Sequence, residues 1–359
     1  MRIALAGDIG SPTDHIEQSA AAYEREGHDV AIYSRRGSTS EDAVAFMNRL
    51  ARQLDDVWAG SRPDVVHAFD WAYGVAAQLA ARRHGIPTVQ TFAPRSAHRP
   101  PGSTDGGQRA KLETLLAVNA SWLAPRCTEE MFTLLRLGAK RSRMSVLGRG
   151  VDVDTFVALD EAASRNGATV AVFGDDPVAD GLAMAIRALR GVAAARLLVV
   201  GNADTSRLQK LARSCGVADR IRFAAAVPYA ELPDLLAGVD VVACPPPEPP
   251  HRSLALEAMA AGVPVVATAT GELVDLVVHD VTGLLVMPGN AAELATALRR
   301  LLADPFRRRG MGMAGRNRAA SRFGWDQIAT ESLAIYERLR ASNCEPLAHA
   351  MAHDERRTR

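Results

Sequence analysis

ELPDLLAGVDVVACPPPEPPHRSLALEAMAAGVPVVATATGELVDLVVHDVTGLLVMPG, running from Glu231 to Gly289, is the stretch that decides the fold. Three short apolar runs, Val239–Ala243, Val263–Ala267 and Leu284–Met287, alternate with helical patterns, and a small or turn residue closes each. Short, largely apolar runs of this length fit parallel strands buried on both faces, with helices as the crossovers. Between the first two strands, Ser253–Gly262 opens a helix directly after a proline-rich loop and closes it on glycine. Backbone N–H groups at such a helix start attract phosphate. Glu257 lies one turn further, on the same face as Ser253, where a carboxylate accepts hydrogen bonds from two sugar hydroxyls. The stretch therefore reads as a pocket for a nucleotide-linked sugar.

Working outward, the same alternation covers most of the chain. Ile3–Asp8 and Val170–Asp175 are alike, each an apolar strand followed by Gly-Asp. In the first half, strands are predicted at Ile3–Ala6, Val30–Tyr33, Val65–Ala68, Thr88–Thr91, Trp122–Ala124 and Ser145–Leu147. In the second they fall at Val170–Phe173, Leu197–Val200, Ile221–Phe223, Val239–Ala243, Val265–Ala267 and Leu284–Val286. The pattern predicts an α/β protein of two doubly wound parallel sheets with helices on both faces. A chain of 359 residues fits two domains better than one, and an apolar content of 48% fills two cores. The expected boundaries are a first domain over 1–160, a second over 168–326, a helix near 327–341 returning to the first domain, and a flexible tail over 342–359. The basic residues after Asp304, among them Arg307–Arg309, Arg316 and Arg318, read as a solvated helix face, with a phosphate or lipid patch as the lesser reading.

Bulk properties exclude several classes. A formal net charge of +1 gives no global field for nucleic acid or for an anionic membrane. The cysteines, Cys127, Cys215, Cys244 and Cys344, are too far apart in sequence for a metal or redox pair, and no metal or resident cofactor is expected. The first strand is too short for a signal peptide and no run is long enough for a transmembrane helix, so a cytoplasmic protein is expected, with room only for peripheral membrane contact.

Glu257–Ala267, Thr270-Gly271 and Thr282–Gly289 closely resemble the donor-binding motifs of the family 4 retaining glycosyltransferases. That resemblance implies the GT-B architecture, two Rossmann-like domains facing across a cleft. It also implies transfer of a sugar from a nucleotide-sugar donor to an unidentified acceptor with retention of configuration, without a metal. Gly150–Phe156 is similar to the family's run before its interdomain linker, and Phe323–Asp326 to the aromatic element before its last helix.

The resemblance carries donor-side roles to Gly10, Gly174, Ser253, Glu257, Thr270 and Gly271. Glu248 lies one residue off the family's register, and a bulge in its two-proline loop would bring it to the sugar; His251 and Arg252 sit in the loop before the 253–261 helix, where Arg252 reads equally as a diphosphate contact or as a solvent-facing arginine. His67, Asp70 and Arg95 become the acceptor-side candidates; a hydrogen-bonded core histidine is the competing reading of His67. No residue stands out as a catalytic nucleophile or base. The chain departs from the family's pattern in four places. The Arg and Lys expected after the first strand of the second domain are Asp175 and Asp180, the first glutamate of the loop pair falls on Pro249, the histidine after the fourth strand is Ala93, and one glycine is lost before Glu272. These departures leave a second reading open: a GT-B relative that keeps the fold as a binding or regulatory partner. An epimerase or phosphorylase on this architecture fits less well, because the run Glu257–Ala267 is more typical of the transferases, and an NAD-dependent dehydrogenase less well still, because neither half has the G-x-G-x-x-G fingerprint.

Overall fold

The computed structural model describes residues 1–9, 15–34, 42–92, 106–156, 168–248 and 254–354. Among these the chain forms two compact units: one joins the chain up to Arg149 with the segment from Trp325 onward, and the other runs from Gly150 to Gly324.

The first unit alternates β1 (Arg2–Ala6), α1 (His15–Arg25), β2 (Asp29–Tyr33), α2 (Ala43–Gly60), β3 (Val65–Phe69), α3 (Trp71–His84), β4 (Thr88–Thr91), α4 (Gly106–Asn119), β5 (Trp122–Leu123) and α5 (Thr128–Arg136). Its strands pair in parallel in the order β2-β1-β3-β4-β5. Successive side chains of a strand face opposite sides. Ile3 and Leu5 accordingly join one core with Ile16 and Tyr23, while Ala4 and Ala6 join another with Leu50, Leu54 and Trp58. The second unit runs β6 (Ala168–Phe173), α6 (Leu182–Leu189), β7 (Ala195–Val200), α7 (Thr205–Ser214), β8 (Ile221–Ala224), α8 (Leu232–Leu236), β9 (Val241–Cys244), α9 (Ala255–Ala260), β10 (Val265–Thr268), α10 (Glu272–Leu276), β11 (Gly283–Val286), α11 (Ala291–Ala303) and α12 (Pro305–Phe323). Its parallel sheet has the order β11-β10-β9-β6-β7-β8. Val170 and Val172 face α6, α7 and α11, whereas Ala171 faces α8, α9 and α12, so both sides of the sheet are covered.

Several expectations are corrected. Ser145–Leu147 is no strand: it runs beside β5 through a single bridge, Leu123 to Met144, because β5 offers only two residues to pair with. The units part at Arg149–Gly150, earlier than the linker composition suggested, because Val151 and Phe156 pack into the second core. The helix after Gly324, α13 (Trp325–Asp354), continues past Ala341, where Leu347, Ala348, Ala350, Met351 and Ala352 favour helix even without an apolar period. Three arginines of α12 are clamps rather than part of a solvated face. Arg316 donates to the carbonyls of Phe156 and Ala260, Arg318 donates to those of Asp275 (2.7 Å) and Leu276 (2.9 Å), and Arg308 pairs with Asp240 at 3.3 Å.

A hydrogen-bonded chain fastens α13 to the first sheet. The Thr91 hydroxyl donates to the Ala124 carbonyl (2.9 Å), so it accepts from His67 Nε2–H (2.9 Å), and His67 Nδ1 accepts from the Tyr336 hydroxyl (2.6 Å). Tyr23 completes the chain at 3.3 Å from Tyr336. Burial, reinforced by the Arg126 charge, lowers the His67 pKa to about 3, so the imidazole is neutral throughout the physiological range. The unfolded histidine titrates near 6.5, so between pH 6.5 and 3 the unfolded chain binds the extra proton and stability falls as pH falls. Urea unfolding at pH 7.5 and pH 5.0 is expected to differ by up to about 2 kcal/mol on account of His67. The dependence is expected to flatten in His67→Gln, and an unchanged slope in that variant would contradict the assignment.

Candidate functional site

In an open parallel sheet, ligands bind outside the carboxyl ends of the strands where the chain order reverses. In the second sheet that point lies between β6 and β9, which pair through Val170↔Val241 and Val172↔Ala243. The backbone is crowded there. A side chain at Gly181, whose φ is +74°, would bring its Cβ to 2.0 Å from the Pro245 carbonyl oxygen, and one at Gly201 would reach 2.0 Å from that of Gly174. The turn after β6 is thus wedged between the exits of β9 and β7. Thr268, ending β10, donates its hydroxyl to the Pro246 carbonyl at 2.6 Å.

Three carboxylates order that turn. Asp180 Oδ2 accepts the backbone N–H groups of Asp175 (2.7 Å) and Asp176 (2.8 Å). Asp176 Oδ1 accepts those of Val178 (2.8 Å) and Ala179 (2.7 Å), and Asp175 Oδ1 accepts that of Asn202 (2.6 Å). Gly174, a candidate from the motif, lies against this arrangement: a Cβ there would meet the Asp180 Cβ at 2.2 Å.

Beyond β9 and β10 lies a second group. Glu257 on α9 is only 4% exposed, and Thr270 and Gly271 are buried at the entry to α10. Burial first, then the negative charges of Glu257 and Glu272, push the Cys244 thiol up to about 12, which places both carboxylates around the end of β9 and leaves the thiol unionised. The Thr270 hydroxyl is buried without a hydrogen-bond partner, an unmet bonding capacity at the same end of the sheet. Gly271 takes φ +50° and ψ −133°, a conformation suited to glycine. Glu248 is exposed at the last described position before 249–253. Helix α9 is six residues long, so phosphate capture at its start has a weaker physical basis than the sequence implied.

The first sheet reverses between β1 and β3, where Asp8 and Asp70 leave the two strands. Asp70 has φ 76° and ψ 159°, a region populated almost only by glycine. Its backbone is held there from several sides: its N–H donates to Thr91 O (3.0 Å), and its carbonyl accepts from Gly74 N (3.0 Å) and Gln90 Nε2 (3.1 Å). Burial is the largest cause raising the Asp70 pKa, and Asp8 adds to it; the Trp71 amide and Arg109 oppose. Asp8 in turn accepts from the Tyr73 hydroxyl at 2.6 Å. His67 does not join this carboxylate pair, since both its ring nitrogens are engaged in the core.

Comparison with known proteins agrees with this architecture. The family description "Glycosyl transferase 4-like domain" matches residues 10–150, and "Glycosyl transferases group 1" matches 167–304. The D-inositol 3-phosphate glycosyltransferase of Xylanimonas cellulosilytica is 30% identical over 384 residues, covering 92% of each chain. The D-inositol 3-phosphate glycosyltransferase 1 of Catenulispora acidiphila is 31% identical over 382 residues, 92% of this chain and 91% of the relative. The chain belongs to the group 1 glycosyltransferases. Among solved structures, sucrose-phosphate synthase from Thermosynechococcus elongatus shares the fold with a TM-score of 0.80 at 21% identity, over 95% of this chain and 99% of that one. Anabaena Alr3699/HepE, solved in complex with UDP and glucose, gives a TM-score of 0.75 at 19% identity, over 94% and 100%. The architecture is therefore GT-B, two Rossmann-like domains each built on one parallel sheet.

Within this glycosyltransferase, the structure gathers Gly174, Glu257, Thr270 and Gly271 at the carboxyl end of the second sheet, and places His67 and Asp70 in the first unit. Gly10, Arg95, His251, Arg252 and Ser253, together with the positions Ala93 and Pro249, lie outside the described residues. The sequence reading missed Thr268, Asp176 and Asp8. The spacing of Asp176 two and three residues before Val178 and Ala179 is the Asx-turn signal that announces it. Among the described residues no helix is long and apolar enough to cross a membrane, and no group of three or more His, Cys, Asp and Glu is placed to hold a metal ion.

Backbone strain of the Asp70 type costs roughly 1–3 kcal/mol. Asp70→Gly is expected to raise the stability of the first unit by an amount in that range while lowering glycosyl transfer at least tenfold. A melting temperature that falls in Asp70→Gly would show that the side chain, not the strain, dominates at this position.

Proposed function

We propose that this glycosyltransferase moves a sugar from a nucleotide-sugar donor to a hydroxyl of a phosphorylated polyol, with retention of configuration. The observation that carries the donor side is Glu257, a carboxylate withdrawn from solvent beside the point where the second sheet reverses. Such a group accepts hydrogen bonds from two vicinal ribose hydroxyls. The acceptor class comes from the relatives, which are named for D-inositol 3-phosphate. In the reaction, the bond from the anomeric carbon to the diphosphate oxygen breaks, and its electron pair leaves on the diphosphate. The acceptor oxygen bonds to the same face, and its proton passes to the departing phosphate. Thr270 adds a hydroxyl with spare hydrogen-bonding capacity, and Asp70, with its pKa raised, serves as the acceptor-side carboxylate.

A second reading, a relative that binds without turning over, is favoured by the carboxylates at Asp175 and Asp180, which stand at the turn nearest the sheet's switch point. The two readings separate in solution. A donor at about 100 times its Kd stabilises a protein by about 2.7 kcal/mol, so a thermal shift together with UDP release supports the enzyme, whereas no shift and no release with any nucleotide sugar supports the binding partner.

Release of UDP from UDP-glucose is to be followed with inositol 3-phosphate as acceptor. In Glu257→Gln, the loss of charge from two hydrogen bonds is expected to raise the donor KM roughly tenfold while kcat changes little. A KM unchanged in this variant would remove Glu257 from the donor site.

A further inference from the structure

Glu257 lies on α9, and Thr270 and Gly271 lead into α10, yet these helices span only six and five residues. Isolated helices shorter than about 12–15 residues are marginal in water, so both depend on what holds their ends. At the end of α9 every carbonyl is accounted for. Those of Glu257, Ala258 and Met259 accept from the amides of Ala261 (2.9 Å), Val263 (2.8 Å) and Gly262 (2.9 Å), and that of Ala260 accepts from Arg316. At the end of α10 the Leu273 carbonyl accepts from the Val277 amide at 3.0 Å, and those of Asp275 and Leu276 accept from Arg318 at 2.7 and 2.9 Å. Two arginines, two positions apart on α12, thus cap one short helix each. A cation at a helix C-terminus also faces the negative end of the helix dipole.

Helix α12 reaches these ends because it is small where it meets α9. A Cβ at Gly312 would lie 2.0 Å from the Gly262 carbonyl oxygen, and one at Gly315 would lie 3.5 Å from Met259 Cγ. Arg316 follows directly on that contact. It also donates to the carbonyl of Phe156 and, at 3.4 Å, to that of Val153, in the segment with which the second unit opens. Arg318 is braced over Phe323, 5.6 Å from the ring centroid.

We propose that Arg316 and Arg318 are positioning residues of the donor site: Arg316 fixes the turn of α9 that carries Glu257, and Arg318 fixes α10 behind Thr270 and Gly271. This rests on the nucleotide-sugar reading above and deepens it by naming what orients its contacts. Glu257 and Ala260 belong to a single helical turn, so the carboxylate and the carbonyl that Arg316 grips move together. The Thr270 carbonyl accepts from the Leu273 amide at 3.1 Å, which ties Thr270 to the first turn of the helix that Arg318 holds at its other end. Neither guanidinium needs to touch the donor. Each spreads its donors over two carbonyls in fixed directions, which the single ammonium of a lysine does not reproduce.

The full-length chain provides the test, with UDP-glucose as the probe, no acceptor present, and calorimetric affinity as the readout. Arg316→Lys and Arg318→Lys keep the charge and lose the planar fork. Each is expected to weaken UDP-glucose binding roughly fivefold, and each through its own helix. In a Glu257→Gln background, Arg316→Lys is expected to weaken binding less than about twofold further, while Arg318→Lys keeps its full effect. In a Thr270→Val background the pattern is expected to reverse. A general loss of packing weakens binding by the same factor in every background. Additive effects throughout therefore overturn the proposal, as does unchanged affinity in the folded lysine variants. Melting curves identify a variant that has lost its fold, and the other arginine then decides; loss of the fold in both overturns the proposal, since α12 would then hold the unit rather than the site. Failure of the nucleotide-sugar reading looks different: the parent chain itself binds no nucleotide sugar, and the inference falls with it.

Discussion

A peptide N–H that leaves the end of a parallel strand has no neighbour strand to accept it, and it must find another acceptor or be left unsatisfied at a cost of about 1–3 kcal/mol. The candidate sites of this glycosyltransferase are organised by that requirement. At the exit of β6 the acceptors are Asp175, Asp176 and Asp180, brought inside the turn by glycines that permit close backbone approach. At the exit of β3 the strained backbone of Asp70 is held by Thr91, Gly74 and the Gln90 amide, and Gln90 reaches it only because position 74 has no side chain: a Cβ there would lie 2.0 Å from Gln90 Oε1. In both sheets, then, small residues decide which polar groups reach the strand ends, and the chemistry follows from that choice.

Much of the fold was legible because burial on both faces leaves a plain mark. Strands such as Val241–Cys244 and Val265–Thr268 are almost continuously apolar and are bounded by turn residues. What escaped the sequence was decided by partners distant along the chain. Ser145–Leu147 has strand composition, yet β5 supplies two residues and the pairing stops at one bridge. Arg316 and Arg318 look like solvated charges until the carbonyls of Phe156, Ala260, Asp275 and Leu276 are brought to them by packing. His67 carried two readings that composition could not separate, and the distant Tyr336 separates them by occupying Nδ1.

The candidate site was legible in part for a related reason. Glu257, Thr270 and Gly271 sit in a contiguous motif whose spacing is fixed by a short helix and a short strand, so their gathering at one sheet end could be read from the chain. Asp175 and Asp180 were legible as charges but not as structure. A carboxylate in place of a cation suggests repulsion of an anionic ligand. Its hydrogen bonds show instead that Asp180 satisfies two amides of its own turn. Charge alone describes what the turn repels; only geometry describes what it already holds.

The two strand exits bear differently on whether the chain catalyses or merely binds. The turn after β6 is relaxed, with its amides satisfied by its own side chains, and nothing in it demands a ligand. Asp70 is the opposite case. Its conformation costs roughly 1–3 kcal/mol, which glycine at the same place would recover. Its carboxyl is also partly buried, close enough to Asp8 for the two charges to resist each other. Strain and a displaced proton affinity meet at one carboxylate, at the point where the first sheet reverses, a combination that clusters at functional sites. Asp70 therefore weighs toward transfer activity, even though the turn after β6 weighs against a tightly gripped diphosphate.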